Sequence, residues 1–188
     1  LLAKVAMGEE HRVHPVFNQV PGNACHIILA PKHTAQCHII DLYQLHWPSR
    51  NVPFFGKNVF NPKNDRPCIP IEETLVALDK MISEGKIRHI GISNESAWGL
   101  MEYIKLSEMR GLPRIVSIQN AYNLTDRHFE IGMDEVCFRE NVGLIAYSPL
   151  AFGQLSGKYI DNPKTRGRMT LFTSDWMMHY RRPAVLDA

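Results

Sequence analysis

The sequence predicts an α/β fold built on a parallel sheet of the (β/α) barrel type. Four short apolar runs, in DLYQLHWP (41–48), IRHIGISN (87–94), IVSIQN (115–120) and GLIAYSPL (143–150), each end in polar residues. An amphipathic helical stretch separates each run from the next. Strands whose C-terminal tips change from Ile, Val and Leu to His, Ser, Asn, Gln and Tyr are what such a barrel requires, because its active site is assembled from those tips. The β-α-β-α-β-α-β alternation, with turn residues at nearly every junction, adds right-handed parallel crossovers.

Residues 1–38 are rich in His, Pro and Asn and hold neither a period of 2 nor one of 3.6, so no element is assigned there. Ile39 to His46 forms the first strand, and Trp47-Pro48 ends it because proline offers no N–H to a ladder. A long polar loop runs to Pro70, and its Phe54 and Phe55 suggest an apolar rim. Pro70 opens a helix whose Ile71, Leu75, Leu78 and Ile82 make one apolar stripe. Glu72 and Glu73 suit its first turn, and Gly85 suits the position just past its end. Strand 87–92 follows. Ser96 caps the next helix, where Ala97, Leu100, Met101 and Ile104 share a face, and Gly111 and Pro113 stop it. Strand 115–119 leads to a helix expected to begin near Asp126, with Phe129, Met133 and Val136 inward. Gly143 introduces strand 144–148. After Pro149 the pattern loosens into a Gly-rich, basic stretch at 151–168, and no structure is assigned to 169–188.

The chain has 188 residues, 45% of them hydrophobic and 21% charged, and a formal net charge of +2. That suffices for one sizeable core and gives no electrostatic reason to expect nucleic acid or a membrane surface as partner. No apolar run approaches the ~18 residues of a spanning helix. The start lacks the apolar region of a signal peptide and begins with Leu, as expected of a partial sequence or a processed piece. Cys25, Cys37, Cys68 and Cys137 lack a framework spacing and read as free thiols in a reducing, cytoplasmic setting. The acceptor patterns Asn94-Glu-Ser96 and Asn123-Leu-Thr125 read as chance matches.

The strand tips suggest a chemistry. His46 either orients a carbonyl oxygen by donating from neutral imidazole or is a satisfied interior histidine. Ser93, Asn94 and Gln119 form a neutral set of donors and acceptors at adjacent tips, which suits a carboxamide with its one C=O and one NH₂. Tyr147 supplies a flat face for a heterocyclic ring. The segment from Gly153 to Lys158 has three residues between its glycines, and Tyr159 follows the lysine, so it is not a P-loop. Lys158, Arg166 and Arg168 either cover a phosphate group by charge pairing or form a solvated basic loop. Cys25, His26, His33, Cys37 and His38 lack the short paired spacings of a zinc module, so no metal site is expected.

With these residues assembled, the chain resembles the aldo-keto reductase superfamily, and within it the Tas-like NADP-dependent oxidoreductases. The resemblance rests on DLYQLHWP (41–48), GKIRHIGISNES (85–96), IVSIQNAYNL (115–124) and AYSPLAFGQLSGKY (146–159), in order and at sensible separations. It covers 39–188, leaving 1–38 as an atypical N-terminal segment. The resemblance implies a (β/α)8 TIM barrel, incomplete here, with strands four to seven and their helices. It implies NADP(H) bound across the C-terminal face and hydride transfer between its nicotinamide and a small-molecule aldehyde or ketone. By motif match His46 is the family's catalytic histidine. Ser93, Asn94 and Gln119 would hold the nicotinamide carboxamide, and Tyr147 would stack on the ring. Ser148, Leu150, Ala151 and Gly153 would line the pyrophosphate path, with Lys158 and Arg168 closing over the dinucleotide.

The family's acid tyrosine, lysine and aspartate have no counterpart motif in 1–38, and no tyrosine precedes Tyr43. Turnover by these residues alone is therefore not expected. A half barrel is expected to leave unpaired strands at both sides and to self-associate through them. Two alternatives remain: a non-catalytic NADP(H)-binding regulatory subunit similar to potassium-channel β subunits, and a non-functional fragment.

Overall fold

The structure, a computed structural model, describes residues 27–28, 39–53, 59–160, 162–171 and 180. Phe54 and Phe55, and the Cys25, His26, His33, Cys37, His38 group, lie outside the described residues, so neither the apolar rim nor the metal reading can be placed.

Four strands form a parallel sheet in chain order: β2 (Ile40–Leu45), β3 (Ile87–Ser93), β4 (Ile115–Ala121) and β5 (Gly143–Tyr147). A two-residue strand, β1 (Ile27–Ile28), pairs antiparallel with β2, Ile27 opposite Leu45 and Ile28 opposite Gln44. This differs from the expectation that residues 1–38 hold no element and that both outer strands lack partners. An apolar pair there covers part of the ladder edge of β2, whereas β5 pairs only with β4 among the described residues. Strand β5 ends one residue earlier than expected, because Ser148 turns away with φ 55°.

Helices α1 (Ile71–Ser83), α2 (Ala97–Arg110) and α3 (Met133–Arg139) connect the parallel strands. In α1, Leu75 and Leu78 are buried, and Gly85 at φ 67° takes the left-handed position past the end, its N–H donating to the Ile82 carbonyl. The Ser96 side chain caps α2 by accepting from the Gly99 N–H at 3.2 Å, as the sequence indicated. The buried face of α2 is Gly99, Leu100, Tyr103, Ile104 and Ser107, whereas Met101 is 38% exposed. The inward stripe is thus turned toward Tyr103 relative to the expected one.

The third helix also starts later than expected. Asn123 and Asp126 exchange two backbone hydrogen bonds, a 3-10 turn spans His128–Glu130, and Gly132 at φ 85° precedes α3. Phe129 and Met133 are buried nonetheless, as the apolar spacing required. A short helix, α4 (Arg168–Leu171), lies in the tail that the sequence left unassigned.

The core sits between sheet and helices, with Leu75, Leu100, Ile104, Ile118 and Ile92 almost fully enclosed. Each such side chain stabilises the fold by about 1.5–3 kcal/mol. The opposite face of the sheet is polar. Register pairs Gln44 with Gly91, Gly91 with Ser117 and Ser93 with Gln119, so these residues share one side. His46 follows Gln44 by two positions and continues that side. This polar face, not the core, carries the site.

Candidate functional site at the strand tips

Two layers build the polar face. In the lower one, the Gln44 side-chain amide donates to the Ile92 carbonyl, and the Ser117 hydroxyl lies 3.3 Å from Gln44 Oε1 as its donor. Gln44 is 1% exposed, so its polar atoms need these partners. Glycine at 91 makes room, since a Cβ there would fall 2.4 Å from Ser117 Oγ and 2.7 Å from Gln44 Oε1.

The upper layer contains the residues singled out at the tips. Ser93 Oγ donates to the Gln119 carbonyl at 2.6 Å, and the Asn94 backbone N–H donates to the same oxygen at 3.0 Å. Asn94 Nδ2 donates to the His46 carbonyl at 2.8 Å and to Ser93 Oγ at 3.1 Å. The Tyr147 hydroxyl closes the set by donating to Asn94 Oδ1 at 2.8 Å. One buried amide therefore ties the tips of β2, β3 and β5 together, and Ser93 ties in β4. The His46 imidazole stacks on Trp47, ring centroids 4.1 Å apart and 26° from parallel, which fixes its plane.

Both Asn94 Nδ2 hydrogens and the Ser93 hydroxyl hydrogen are used. Among the described residues the Gln119 side-chain amide makes no hydrogen bond, although Gln119 is only 3% exposed. Its amide atoms are not among the enclosed, unpartnered ones, so they reach the surface of the site, where a carboxamide can suit a ligand that presents the complementary pair.

Asn94 takes φ 55°, in the left-handed region that Asn tolerates better than most residues. Its neighbour Glu95 is held on all sides. Asn120 Nδ2 donates to the Glu95 carbonyl at 2.9 Å, and the Glu95 N–H donates to Asn120 Oδ1 at 3.2 Å. The Arg50 guanidinium grips the Glu95 carboxylate with two nitrogens, each at 2.6 Å, and faces the Trp98 ring at 4.9 Å. Burial pushes the Glu95 carboxyl up from its ordinary range, with Arg50 and the Ser96 N–H pulling the other way.

A second cluster lies beyond β5. Ser148 (φ 55°), Ala151 (φ 46°), Phe152 (φ 56°) and Gly153 (φ 98°) trace a strained path into the 3-10 segment Ala151–Ser156. Lys158 and Arg168 flank it. A Cβ on Gly153 would fall 2.8 Å from Lys158 Cε, and one on Gly167 would fall 2.5 Å from Lys158 Nζ. Lys158 Nζ lies 4.9 Å from the Tyr159 ring centroid, and Arg168 lies 4.6 Å from that of Phe152. Burial lowers the Arg168 guanidinium somewhat. Ala151 is fully enclosed, whereas the Leu150 side chain is 54% exposed and its carbonyl accepts from the Gly153 N–H at 2.7 Å within the same segment.

Asn123 links the two clusters. Its Nδ2 donates to the Ser148 carbonyl at 3.0 Å and to the Tyr180 hydroxyl at 3.1 Å. Tyr180 in turn packs edge-on against Phe152 at 5.2 Å. Burial, then the nearby Asp126, pushes the Tyr180 phenol up to about 12. Tyr147 is raised as well, chiefly by burial.

The structure thus brings together His46, Ser93, Asn94, Gln119 and Tyr147, and separately Gly153, Lys158 and Arg168 around Ser148 and Ala151. The sequence reading missed Gln44, Arg50, Glu95, Ser117, Asn120, Asn123 and Tyr180. The i, i+2 pairs Gln44/His46, Gly91/Ser93 and Ser117/Gln119 were the available sign, since small or polar residues two apart lie on one side of a strand.

Residues 18–179 match the family described as "Aldo/keto reductase family". The match begins ahead of residue 39, where the motif-level resemblance starts. Protein tas of Escherichia coli is 48% identical over 139 residues, covering 73% of this chain and 40% of that protein. An aldo-keto reductase of Babesia bovis is 42% identical over 154 residues, covering 76% and 54%. Human aflatoxin B1 aldehyde reductase member 2 is 31% identical over 150 residues, covering 78% and 36%. The chain therefore spans about 40% of the first of these relatives and about half of the second. Four consecutive parallel strands with their helices, a polar face at the C-terminal tips and a family match over most of the sequence agree: the chain belongs to the aldo/keto reductase family and carries part of its (β/α)8 barrel.

Proposed function

We propose that the chain forms the nicotinamide-binding wall of an NADP(H)-dependent oxidoreductase acting on an aldehyde or ketone. The observation that carries this reading is the hydrogen-bonded convergence of His46, Ser93, Asn94 and Tyr147, with the Gln119 amide unspent beside them. The donor set fits the group: Ser93, Asn94 and Gln119 would hold the carboxamide, and Tyr147 would lie against the ring. Ser148, Leu150, Ala151, Gly153, Lys158 and Arg168 would hold the phosphates, with Gly153 and Gly167 making room for the Lys158 side chain to lie against them. When bound, the cofactor supplies the hydride.

The chain's own residues bind and orient. His46, its ring plane set by Trp47, would donate from the imidazole to the substrate oxygen and so limit the carbonyl to one approach. Tyr147 is not the proton donor, because burial raises its phenol and its hydrogen is committed to Asn94. Tyr180 and Tyr122 are also shifted upward. We infer that the acid comes from barrel strands outside the four present here. Retention of an imidazole at position 46 favours catalysis over a purely cofactor-sensing role. The cytoplasm suits this reading, and among the described residues no helix is long and apolar enough to cross a membrane. Among the described residues β5 pairs only with β4, and that edge supports self-association as a further part of the proposal.

The test is NADPH fluorescence titrated with the purified chain. We expect saturable quenching and a blue shift. Gln119→Met should weaken binding about tenfold, since it removes donor and acceptor at near-constant volume. Tyr147→Phe should weaken it less. An emission spectrum unchanged at high micromolar NADPH would overturn the proposal.

A further inference from the structure

We infer that Arg50 is a positioning residue for the Asn94 amide, acting through Glu95. The inference rests on the proposed nicotinamide site and adds to it a residue that makes no contact with that site.

Three observations converge. First, the Arg50–Glu95 pair is two-pronged and enclosed, with both N–O distances 2.6 Å and side-chain exposures of 15% and 2%. Such a fork fixes a carboxylate in direction as well as place. Second, the chain leaves room for the pair at residue 99. A Cβ there would fall 1.8 Å from Glu95 Oε2 and 2.3 Å from Arg50 Nη2. Gly99 lies in the first turn of α2, where alanine would favour the helix, so the local preference yields to the ion pair. Third, Glu95 is pinned through its backbone by Asn120, and its carboxylate also accepts from the Ser96 N–H at 3.1 Å. Arg50 Nη2 reaches the Ser96 capping hydroxyl at 3.1 Å.

Asn94 precedes this anchored unit and sits at φ 55°, in the left-handed region that Asn adopts readily. Ser93 is fastened to β4 on the other side. The amide that binds the His46 carbonyl and the Tyr147 hydroxyl is therefore held between two anchors. One of those anchors reaches back to the loop after β2, four residues beyond His46. Arg50 thereby sets the imidazole-bearing segment and the carboxamide wall as one body. A structural salt bridge alone would stabilise the fold without affecting the Asn94 amide in particular.

The experiment reads that amide directly. In the ¹H–¹⁵N spectrum of the chain, the Asn94 side-chain NH₂ pair is identified by its loss in Asn94→Asp. Arg50→Ala should move or broaden that pair, and Arg50→Lys should restore it in part. The affinity for NADPH should fall about tenfold in Arg50→Ala and recover partly in Arg50→Lys. Glu95→Gln, which keeps the shape and weakens the fork, serves as a second variant should Arg50→Ala not fold, and should shift the same resonances. Unchanged Asn94 amide signals in a folded variant would overturn the inference. So would unchanged NADPH affinity. Should the parent chain bind no NADPH, the proposed function falls, and the amide signals still decide the role of Arg50.

Discussion

Alanine at position 91 tests the layer beneath the site. Gly91 has ordinary backbone geometry, so the substitution brings no conformational strain. Its methyl group would instead enter space held by Ser117 Oγ at 2.4 Å, Gln44 Oε1 at 2.7 Å and Gln44 Cδ at 3.0 Å. Real Cβ contacts are not that short, so Gln44 and Ser117 must move and part. Overpacking of this kind costs roughly 1–3 kcal/mol. Loss of the buried Ser117–Gln44 hydrogen bond adds about 1 kcal/mol. Reduced freedom of the unfolded chain returns about 0.4–1 kcal/mol. The net loss is about 2 kcal/mol, which in a chain of this length lowers Tm by roughly 4–8 °C. Urea unfolding followed by circular dichroism should show a lower midpoint at unchanged slope. Adding Ser117→Ala removes the closest atom and should recover part of the loss, a coupling of at least about 0.5 kcal/mol. A Gly91→Ala variant as stable as the parent, or strict additivity with Ser117→Ala, would refute the steric reasoning.

Two further outcomes follow from the titrating groups. Burial, then nearby Asp134, raises the Cys137 thiol to about 11, whereas Cys68 is exposed, so iodoacetamide at about pH 8 should modify Cys68 well before Cys137 in the folded chain. Comparable rates by peptide mapping would mean that α3 is not packed as described. The Tyr180 phenol keeps its proton to about 12 when folded, above the value near 10 of an unfolded chain. Its contribution is therefore complete below about pH 10 and is lost as pH rises toward 12. Tyr180→Phe should unfold less steeply with rising alkali than the parent, and parallel curves would remove Tyr180 from its assigned place.

Much of the sheet could be read from residues because each strand here is a short apolar run closed by a breaker. Trp47-Pro48, Gly85, Gly111 and Gly143 mark boundaries that local chemistry imposes. The third helix was less legible, since Asp126 looks like a cap. In the folded chain it pairs with Asn123, and Gly132 delays the helix by seven residues. Met101 was misplaced for a different reason: the α2 stripe follows Tyr103 and Ser107, which carry polar atoms and so weaken an apolar pattern. The polar tips were visible because they interrupt hydrophobic runs. Their supports were not, because Arg50 and Glu95 are 45 positions apart and Gln44 and Ser117 are 73 apart. Nothing local indicates that such residues meet.

The contacts that close the candidate site all join neighbouring or next-neighbouring strand tips. Ser93 reaches 26 positions forward to Gln119, Asn94 reaches 48 back to His46, and Tyr147 reaches 53 back to Asn94. A ribosome delivers those partners in the order in which they bond, and the entropy of closing such loops grows only slowly with length. The wall can thus assemble unit by unit during synthesis, and the hydroxyl of Tyr147 fastens it as the last of the four strands emerges.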